Sequence, residues 1–226
     1  MDESEKIIAS WKVNADAWIG TIENGELESR TLVTNKAIID AILSYQPSSV
    51  LDIGCGEGWL TRTLHSNGIR AFGVDVVPEL IAHAKAAGGD HFFVTSYGDL
   101  AAGNHQLPTP FDAVVINFAL IDKEDTEAMI GSLTNLLTAR GQLFVQTLHP
   151  FAVTGTDSRY ETGWREGSWD GMKREFQLAY RWYFRTMENW LQLFMRAGFQ
   201  LIDLKEPAHS IHGRPLSVIF ILRTNP

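Results

Sequence analysis

Three glycines at alternate positions, Gly54, Gly56 and Gly58, constrain this chain more than any other feature. They follow an apolar run at 49–53 and lead into a segment with helical spacing at 59–66. Glycine permits turns and close backbone approaches that a Cβ would block, so the pattern predicts a buried strand, a ligand-binding turn and a helix. The spacing differs from the G-x-G-x-x-G of dinucleotide-binding folds. No Gly-Lys-Ser/Thr follows it, as a phosphate-binding P-loop would require.

Short apolar runs alternate with helical segments through the rest of the chain. This alternation predicts βαβ units and a parallel sheet, hence an α/β fold. The last two strands have no helix between them, and we expect them to pair as an antiparallel hairpin at the sheet edge. The predicted strands are 49–53, 69–75, 91–95, 111–118, 141–148, 199–207 and 216–222, and the predicted helices are 31–45, 59–66, 78–87, 124–138 and 186–197.

The bulk composition restricts the class of protein. The 226 residues suffice for one domain with a sizeable core. The net charge is −8 and the 19 Lys and Arg residues are scattered, which disfavours a nucleic-acid partner. A single cysteine, Cys55, excludes an intrachain disulfide and fits a reducing compartment. With no leader-like or bilayer-spanning apolar run and no metal-binding motif, we expect a cytoplasmic protein without a metal.

Two carboxylates accompany the predicted turn. Asp52 directly precedes the glycines, where a carboxylate suits a ligand with an ammonium group, or an ordered water network, better than a pyrophosphate. Asp75 ends the second predicted strand within Gly73-Val74-Asp75. An acid at this place can accept two hydrogen bonds from ribose hydroxyls. The alternative for Asp75 is a solvated loop acid.

The motif LDIGCGEG followed by GVD resembles the class I, Rossmann-like S-adenosylmethionine-dependent methyltransferases. The resemblance covers residues 30–148 and the terminal strand pair. It implies a three-layer Rossmann-like α/β fold with seven strands in the order 3-2-1-4-5-7-6, strand 7 being antiparallel. It also implies S-adenosyl-L-methionine as the cofactor.

The resemblance assigns cofactor contacts to the turn and to the first two strand ends. It places Gly54 and Gly56 under the methionine part of the cofactor and makes Asp52 the first-strand acid. It gives the ribose to Asp75, with the adjacent Val76 in the same site.

The ends of the third and fourth strands carry further implied contacts. After the third strand, similar proteins often have an acid followed by a small residue that contacts adenine. Alignment on Leu100 puts Ser96 and Tyr97 at this place, whereas alignment on the acid puts Asp99 there, and we favour Ser96 and Tyr97. Asp99 is equally suited to be a helix N-cap. Asn117 comes where the backbone of similar enzymes meets the cofactor beside the transferred methyl. Nucleic-acid amino-methyltransferases carry Asn/Asp-Pro-Pro and an aromatic residue there, and the absence of these prolines disfavours such substrates.

Two more side chains are candidates for functional roles, one as a general base and one as a partner of the cofactor carboxylate. His149 follows the fifth predicted strand, and strand C-termini face the ligand crevice in open α/β sheets. An imidazole there can act as a general base toward a hydroxyl, or merely hydrogen-bond a loop. Arg30 precedes the first predicted helix and is a candidate for the methionine carboxylate, the alternative being a surface arginine.

Residues 150–185 interrupt the alternation and are rich in Gly, Trp, Arg and Asp. A connection of this length is typical of a lid or a binding segment. Its aromatic and basic side chains either contact the substrate or form a lid core with surface arginines. We expect a single methyltransferase domain, 1–226, with 1–30 as an N-terminal cap segment and 150–185 as a substrate-covering insertion. The predicted substrate-binding residues are Trp164, Arg165, Tyr183 and Arg185.

These residues together predict an S-adenosylmethionine-dependent methyltransferase for a small-molecule acceptor, O- or N-directed. The first alternative is a catalytically inactive S-adenosylmethionine-binding regulatory or partner protein with the same glycine turn. The second is a nucleotide-linked oxidoreductase built on the same sheet.

Overall fold

The computed structural model describes residues 1–154 and 159–224. Its strands are β1 (Ser49–Ile53), β2 (Arg70–Asp75), β3 (Phe92–Val94), β4 (Phe111–Asn117), β5 (Leu137–Leu148), β6 (Gly163–Arg165), β7 (Trp182–Phe184), β8 (Phe199–Lys205) and β9 (Ser217–Thr224). Its α-helices are α1 (Glu3–Val13), α2 (Ala15–Glu23), α3 (Asn35–Ser44), α4 (Trp59–Ser66), α5 (Pro78–Gly88), α6 (Tyr97–Ala102), α7 (Glu124–Ser132), α8 (Pro150–Thr154) and α9 (Met187–Arg196).

Seven of these strands form one sheet in the order β3-β2-β1-β4-β5-β9-β8. The pairs among β1 to β5 are parallel, and β9 runs antiparallel between β5 and β8. The predicted order 3-2-1-4-5-7-6 is therefore confirmed, with β8 and β9 as the predicted sixth and seventh strands. The predicted antiparallel hairpin at the sheet edge is confirmed as well.

Both faces of the central strands are buried, as their apolar runs predict. On one face Leu51 and Ile53 of β1 belong to a cluster that includes Trp190 and Phe194 of α9. On the other face Val50 packs in a cluster with side chains of α3 and α4. Each such fully buried side chain stabilises the fold by about 1.5–3 kcal/mol. This covering on both sides fixes the carboxyl ends of β1, β2 and β4 as a rigid platform.

Two predicted helices differ from the structure at one end. The segment predicted as helix 31–45 begins with a π-helical turn, Arg30–Thr34, before α3. The segment predicted as helix 124–138 ends as a 3₁₀ turn, Leu133–Leu136, and the chain is already in β5 at Leu137. Leu136 and Leu137 are buried at this junction, and Leu137 pairs with Phe111 of β4 as part of the sheet.

The N-terminal helices and the segment after α8 lie against each other. Trp11 donates a 3.0 Å hydrogen bond from Nε1 to the Tyr180 hydroxyl. Asn14 accepts from the Gln177 amide at 2.8 Å and donates to the Gln177 carbonyl at 2.7 Å. Trp169 donates to Ser10 at 3.0 Å. These contacts tie residues 1–30 to the segment between 159 and 185, which contains the two-stranded β6–β7 sheet.

Within the described ranges, no helix combines the length and the apolar character that a bilayer-spanning helix needs.

Candidate functional site

A cleft opens at the carboxyl ends of β1, β2 and β4, where β1 pairs with β2 on one side and β4 on the other. This is the switch point of strand order, the place where open α/β sheets bind ligands. The cleft holds about 1020 Å³ of space between atoms, part of it open to solvent. Its walls come from the β1–α4 turn, the ends of β2 and β4, the start of α6, Arg30, and helices α1 and α2.

The glycine turn between β1 and α4 forms the floor of the cleft. Gly54, Gly56 and Gly58 have φ values of +70°, +58° and +85°, a region that side-chain-bearing residues rarely adopt. A Cβ on Gly54 would collide with the side chain of Ala119, which follows β4. A Cβ on Gly58 would meet the ring of Phe92 at 2.7 Å. The first glycine thus lets the turn approach the cleft wall, whereas the third serves packing against β3.

Asp75 at the end of β2 shapes the neighbouring wall. Its Oδ2 accepts the Gly56 N–H at 3.0 Å, and its Oδ1 accepts the Val77 N–H at 2.9 Å. Burial raises the pKa of this carboxyl to about 6, and these backbone donors oppose the rise. Each oxygen keeps lone-pair capacity for a further donor from a ligand.

Asp52, the last but one residue of β1, is 2% exposed and lines the same cleft. Its Oδ2 accepts a 2.8 Å hydrogen bond from the Thr61 hydroxyl on α4. Burial raises its pKa to about 7, the Thr61 hydrogen bond opposes this, and nearby Glu57 adds to it. The buried Glu57 is a third carboxylate in this wall.

Arg30 supplies positive charge to the cleft from the π-helical turn before α3. Its guanidinium lies 5.5 Å from the ring centroid of Trp18 and 5.3 Å from that of Trp59. Its Nε donates to Asn35 at 3.4 Å. Burial lowers the Arg30 pKa, while the charges of Glu57 and Asp52 favour its protonated form. The guanidinium is therefore held by aromatic faces and keeps donors available for an anionic ligand group.

The residues that follow β3 complete this part of the cleft. Ser96 and Tyr97 line it, and Asp99 is exposed. Ser96 is the N-cap of α6, and Asp99 closes a capping box with it. Of the alternatives left open by the sequence, Ser96 and Tyr97 line the cleft, whereas Asp99 caps the start of α6.

Asn117 and Phe118 show an unusual local arrangement at the end of β4. The side-chain oxygen of Asn117 is buried without a hydrogen-bond partner, and the residue lines the cleft. Phe118 has a φ of +57°, and its N–H donates to the Gln146 carbonyl at 2.8 Å. Left-handed backbone at a residue other than glycine costs energy and clusters at functional sites.

The structure brings together every residue predicted for cofactor binding. All nine line the one cleft, although they come from separate segments: Arg30, Asp52, Gly54, Gly56, Asp75, Val76, Ser96, Tyr97 and Asn117.

The predicted general base lies elsewhere. His149 is not among the described residues that line the cleft. Its Nε2 lies 2.9 Å from Glu206 Oε1, and its Nδ1 accepts from the Phe151 N–H at 3.2 Å. The ring faces the β8–β9 connection because the chain turns into α8 directly after β5. Its placement matches the alternative of a loop-bonding histidine.

The four predicted substrate-binding residues also lie outside the cleft lining. Trp164 packs edge-on against Tyr183 with ring centroids 5.2 Å apart, across the β6–β7 pair. Arg165 donates to the carbonyls of Arg159 and Glu161. Arg185 is buried and donates to the carbonyl of Asp122 at 2.9 Å. This arrangement matches the alternative of a lid core, except that Arg185 is inside the protein and not on its surface.

The cleft contains a second group of residues to which the sequence assigned no individual role, although 1–30 was predicted to be a cap segment. Helix α1 contributes four of them and the segment after β4 contributes three: Ser4, Ile7, Ile8, Trp11, Ile121, Asp122 and Asp125. One signal for α1 is present in the sequence, because Asp2 and Glu5 have the spacing of a capping box and form one in the structure. No local pattern places Asp122 in the cleft.

Comparison with known proteins gives one family. A profile described as "Methyltransferase domain" matches residues 31–204. A ubiquinone biosynthesis O-methyltransferase of Xylella fastidiosa (strain M23) is 34% identical over 112 residues, 47% of this chain and 44% of the relative. One of Xanthomonas oryzae pv. oryzae (strain PXO99A) is 33% identical over 116 residues, 49% of this chain and 47% of the relative. The matches thus span less than half the length of these relatives.

Solved structures share the fold at low sequence identity. Magnesium protoporphyrin IX methyltransferase from Synechocystis PCC 6803, solved with bound S-adenosylmethionine, has a TM-score of 0.64 at 17% identity, covering 100% of this chain and 98% of that one. The 1,6-didemethyltoxoflavin-N1-methyltransferase of Burkholderia thailandensis has a TM-score of 0.65 at 17% identity, covering 100% and 92%. At these identities the likeness concerns the fold.

Proposed function

The chain belongs to the methyltransferase domain family, and we propose that it transfers a methyl group from S-adenosylmethionine to an oxygen atom of a small-molecule acceptor. The family resemblance drawn from the sequence is thereby confirmed. One observation carries the proposal: the nine residues predicted for the cofactor line a single cleft at the switch point of the sheet.

The charges and the free polar atoms of the cleft fit this cofactor. S-adenosylmethionine carries an ammonium, a sulfonium and one carboxylate. Asp52, Glu57 and Asp75 supply negative charge for the cations, and Arg30 supplies a guanidinium for the carboxylate. The buried, unpartnered oxygen of Asn117 is an acceptor that a ligand N–H group would satisfy. A dinucleotide, with its two phosphates, would instead face these three carboxylates at close range.

Each group in the cleft has a defined task in this proposal. When bound, the cofactor supplies an electrophilic methyl group on its sulfonium. Asp75 binds the ribose hydroxyls, and Gly54 lets the turn pack against Ala119 at the floor of the cleft. Tyr97 and Ser96 flank the adenine. Helix α1, with Trp11, covers the cleft, so the chain excludes water and holds both reactants in one orientation, which alone can supply a large part of the rate.

The choice of oxygen as the accepting atom follows the printed names of the curated relatives, which are O-methyltransferases. The small-molecule acceptor and the absence of a nucleic-acid partner remain parts of the proposal, supported by the net charge of −8 and the scattered Lys and Arg residues. The cytoplasmic location also remains a proposal, supported by the single cysteine. The general-base role that the sequence suggested for His149 is not part of the proposal, because the ring lies outside the cleft lining. We expect His149→Ala to keep wild-type turnover, and a large loss of turnover would restore the general-base role.

Titration calorimetry with S-adenosylmethionine and with NADH tests the cofactor assignment. We expect binding of the former alone. Retention of NADH with no binding of S-adenosylmethionine would establish the oxidoreductase alternative. Incubation with methyl-labelled cofactor and fractionated metabolite extracts then tests turnover. Transfer of label to a small molecule supports the enzyme, whereas cofactor binding without transfer to any fraction favours the regulatory alternative.

A further inference from the structure

The cleft has a second wall that the proposed cofactor contacts do not use. Ile7, Ile8 and Trp11 of α1 form one side of it, and Ile121 forms the other. Side chains of this kind bury flat, apolar ligand surface such as an aromatic ring. The polar groups in this wall are few, and they come from Ser4 and from the segment that follows β4.

Asp122 is the buried polar group of this wall, with 7% of its surface exposed. Its Oδ1 accepts the Thr126 N–H at 2.8 Å, and its Oδ2 accepts the Ser4 hydroxyl at a longer 3.3 Å. A carboxylate with two partners retains lone-pair capacity. A ligand hydroxyl can therefore join Ser4 at Oδ2 or replace it.

The backbone that carries Asp122 is fixed from behind. Arg185 donates to the Asp122 carbonyl at 2.9 Å and to the Lys123 carbonyl at 3.3 Å. Tyr183 donates its N–H to the Ile121 carbonyl at 2.8 Å. Strand β7 and the adjoining Arg185 thus hold this second wall in place without lining the cleft.

Tyr97 connects this wall with the cofactor part of the cleft. Its hydroxyl donates to the Ala119 carbonyl at 2.8 Å, three residues before Asp122, and Tyr97, Asp75 and Asp122 line the same cleft. The second wall and the wall formed by Asp75 are therefore parts of one continuous cleft.

The charges of the whole cleft are unbalanced. Its described lining contains five carboxylates and one guanidinium, the latter assigned above to the cofactor carboxylate. The carboxylates of the second wall are Asp122 and Asp125, and no Lys, Arg or His of the described lining faces them there. An anionic ligand would enter a low-dielectric space next to like charges, which is strongly unfavourable.

We propose that this wall is the acceptor subsite, that it takes an uncharged or cationic aromatic hydroxyl compound and rejects anions, and that Asp122 accepts the hydrogen bond of the hydroxyl to be methylated and takes up its proton as the bond between oxygen and methyl carbon replaces the bond between sulfur and methyl carbon. This inference depends on the proposed function for the identity of the neighbouring ligand. It assigns Asp122 as a specificity-determining residue.

Four small phenyl compounds of similar size test both parts of the proposal: para-ethylphenol, tyramine, para-hydroxyphenylacetate and phenethylamine. Binding is measured by calorimetry and by tryptophan fluorescence in the presence of saturating S-adenosylhomocysteine. We expect para-ethylphenol and tyramine to bind at least about tenfold more tightly than para-hydroxyphenylacetate, because its carboxylate meets Asp122 and Asp125. We expect tyramine to bind about tenfold more tightly than phenethylamine, which lacks the hydroxyl.

The variant Asp122→Asn assigns the hydroxyl contact. Asparagine keeps an oxygen for the Thr126 N–H but loses the charge, and we expect the tyramine-to-phenethylamine ratio to fall to about twofold or less. The matched control Asp16→Asn changes an exposed carboxylate of α2 outside the cleft and keeps the wild-type ratio.

Several outcomes overturn the inference and leave the proposed function standing. They are tighter binding of para-hydroxyphenylacetate, equal binding of tyramine and phenethylamine to the wild type, and no binding of para-ethylphenol, each with normal S-adenosylhomocysteine affinity. Failure of the wild-type protein to bind S-adenosylhomocysteine would instead contradict the proposed function. If Asp122→Asn does not fold, the wild-type series alone decides.

Discussion

The hydroxyl of Tyr97 donates a 2.8 Å hydrogen bond to the backbone carbonyl of Ala119. This bond joins the first turn of α6 to the segment after β4. The same hydroxyl would lie 3.5 Å from a Cβ at Gly54, so it stands over the glycine turn. The ends of β1, β3 and β4 are thereby linked at one point of the cleft wall.

Replacement of Tyr97 by Phe tests this link. The ring stays, but the Ala119 carbonyl loses its donor, and we expect the protein to lose about 1 kcal/mol of unfolding free energy. We also expect S-adenosylhomocysteine affinity to fall by about threefold to tenfold, because the wall beside Gly54 is less well fixed. Chemical denaturation and calorimetry measure the two effects. An unchanged affinity would show that the link does not shape the cofactor site.

Removal of the Asp75 carboxylate tests the ribose assignment. Asp75→Ala loses the acceptor for ribose hydroxyls and the partner of the Gly56 N–H. We expect cofactor affinity to fall by at least about thirtyfold, equivalent to about 2 kcal/mol. The control Asp203→Ala removes a carboxylate on β8 that bonds Lys205 outside the cleft, and it keeps the affinity. Equal cofactor affinities of the two variants would contradict the ribose assignment of Asp75.

The pH dependence of cofactor binding follows from the same carboxyl. Burial raises its pKa to about 6 in the ligand-free protein, so part of the population is protonated there below neutral pH. Donors from the ribose favour the ionised form, and binding must therefore release a proton. We expect affinity to fall as the pH drops below about 6, by up to about tenfold per pH unit for one proton. Calorimetry in buffers of different ionisation enthalpy counts the protons released, and proton uptake would contradict this account.

Asp52 is predicted to destabilise the ligand-free protein. Its pKa rises from the ordinary 3.8 to about 7 on folding, so between these values the native state binds more protons than the unfolded state. Unfolding free energy therefore falls as the pH rises through this window. Asp52→Asn has no charge to bury, and we expect it to be more stable than the wild type by about 1–4 kcal/mol at pH values above about 7. We expect the difference in unfolding free energy to shrink toward about pH 4. A difference that does not change with pH would contradict this explanation.

We expect Gly54→Ala to destabilise the protein in two ways, through the strained backbone conformation and through a steric collision of the new Cβ. The positive φ alone costs about 1–2 kcal/mol. The added Cβ also collides with Ala119, so we expect a larger loss of stability and at least about tenfold weaker cofactor binding. Gly213→Ala is the matched control, because Gly213 has a φ of +62° and no atom within 4 Å of its added Cβ. Equal losses of stability and of cofactor affinity in the two variants would show that the collision has no effect.

Arg185 is expected to be structural. It is fully buried, its Nη2 lies 3.4 Å from Glu127, and its guanidinium packs 4.6 Å from the ring centroid of Tyr183. Arg185→Met removes one partner from a buried, bonded arrangement, which we expect to cost about 3 kcal/mol in unfolding free energy. The control Arg181→Met alters an exposed neighbour and should change stability by less than about 0.5 kcal/mol. Thermal denaturation compares the two variants.

Local sequence was sufficient for much of this protein. The alternation of apolar runs and helical segments predicted the α/β class and the parallel sheet, because each βαβ unit brings its strand ends to one edge of the sheet. The strand order and the cofactor residues were implied by the resemblance of the motifs around Gly54 and Asp75 to the class I methyltransferases. The antiparallel β8–β9 pair was predicted because no helix separates these two strands. Spacing between neighbouring residues carries this kind of information.

Tertiary structure alone decided which other side chains share the cleft. His149 and Arg185 have chemically suitable groups at suitable places along the chain, yet one turns toward Glu206 and the other supports the Asp122 backbone from behind. Asp122 and Ile7 are more than a hundred residues apart and form one wall only because α1 packs over the end of β4. Such placements depend on how far each side chain is from water and from distant partners, and a one-dimensional pattern does not contain those distances.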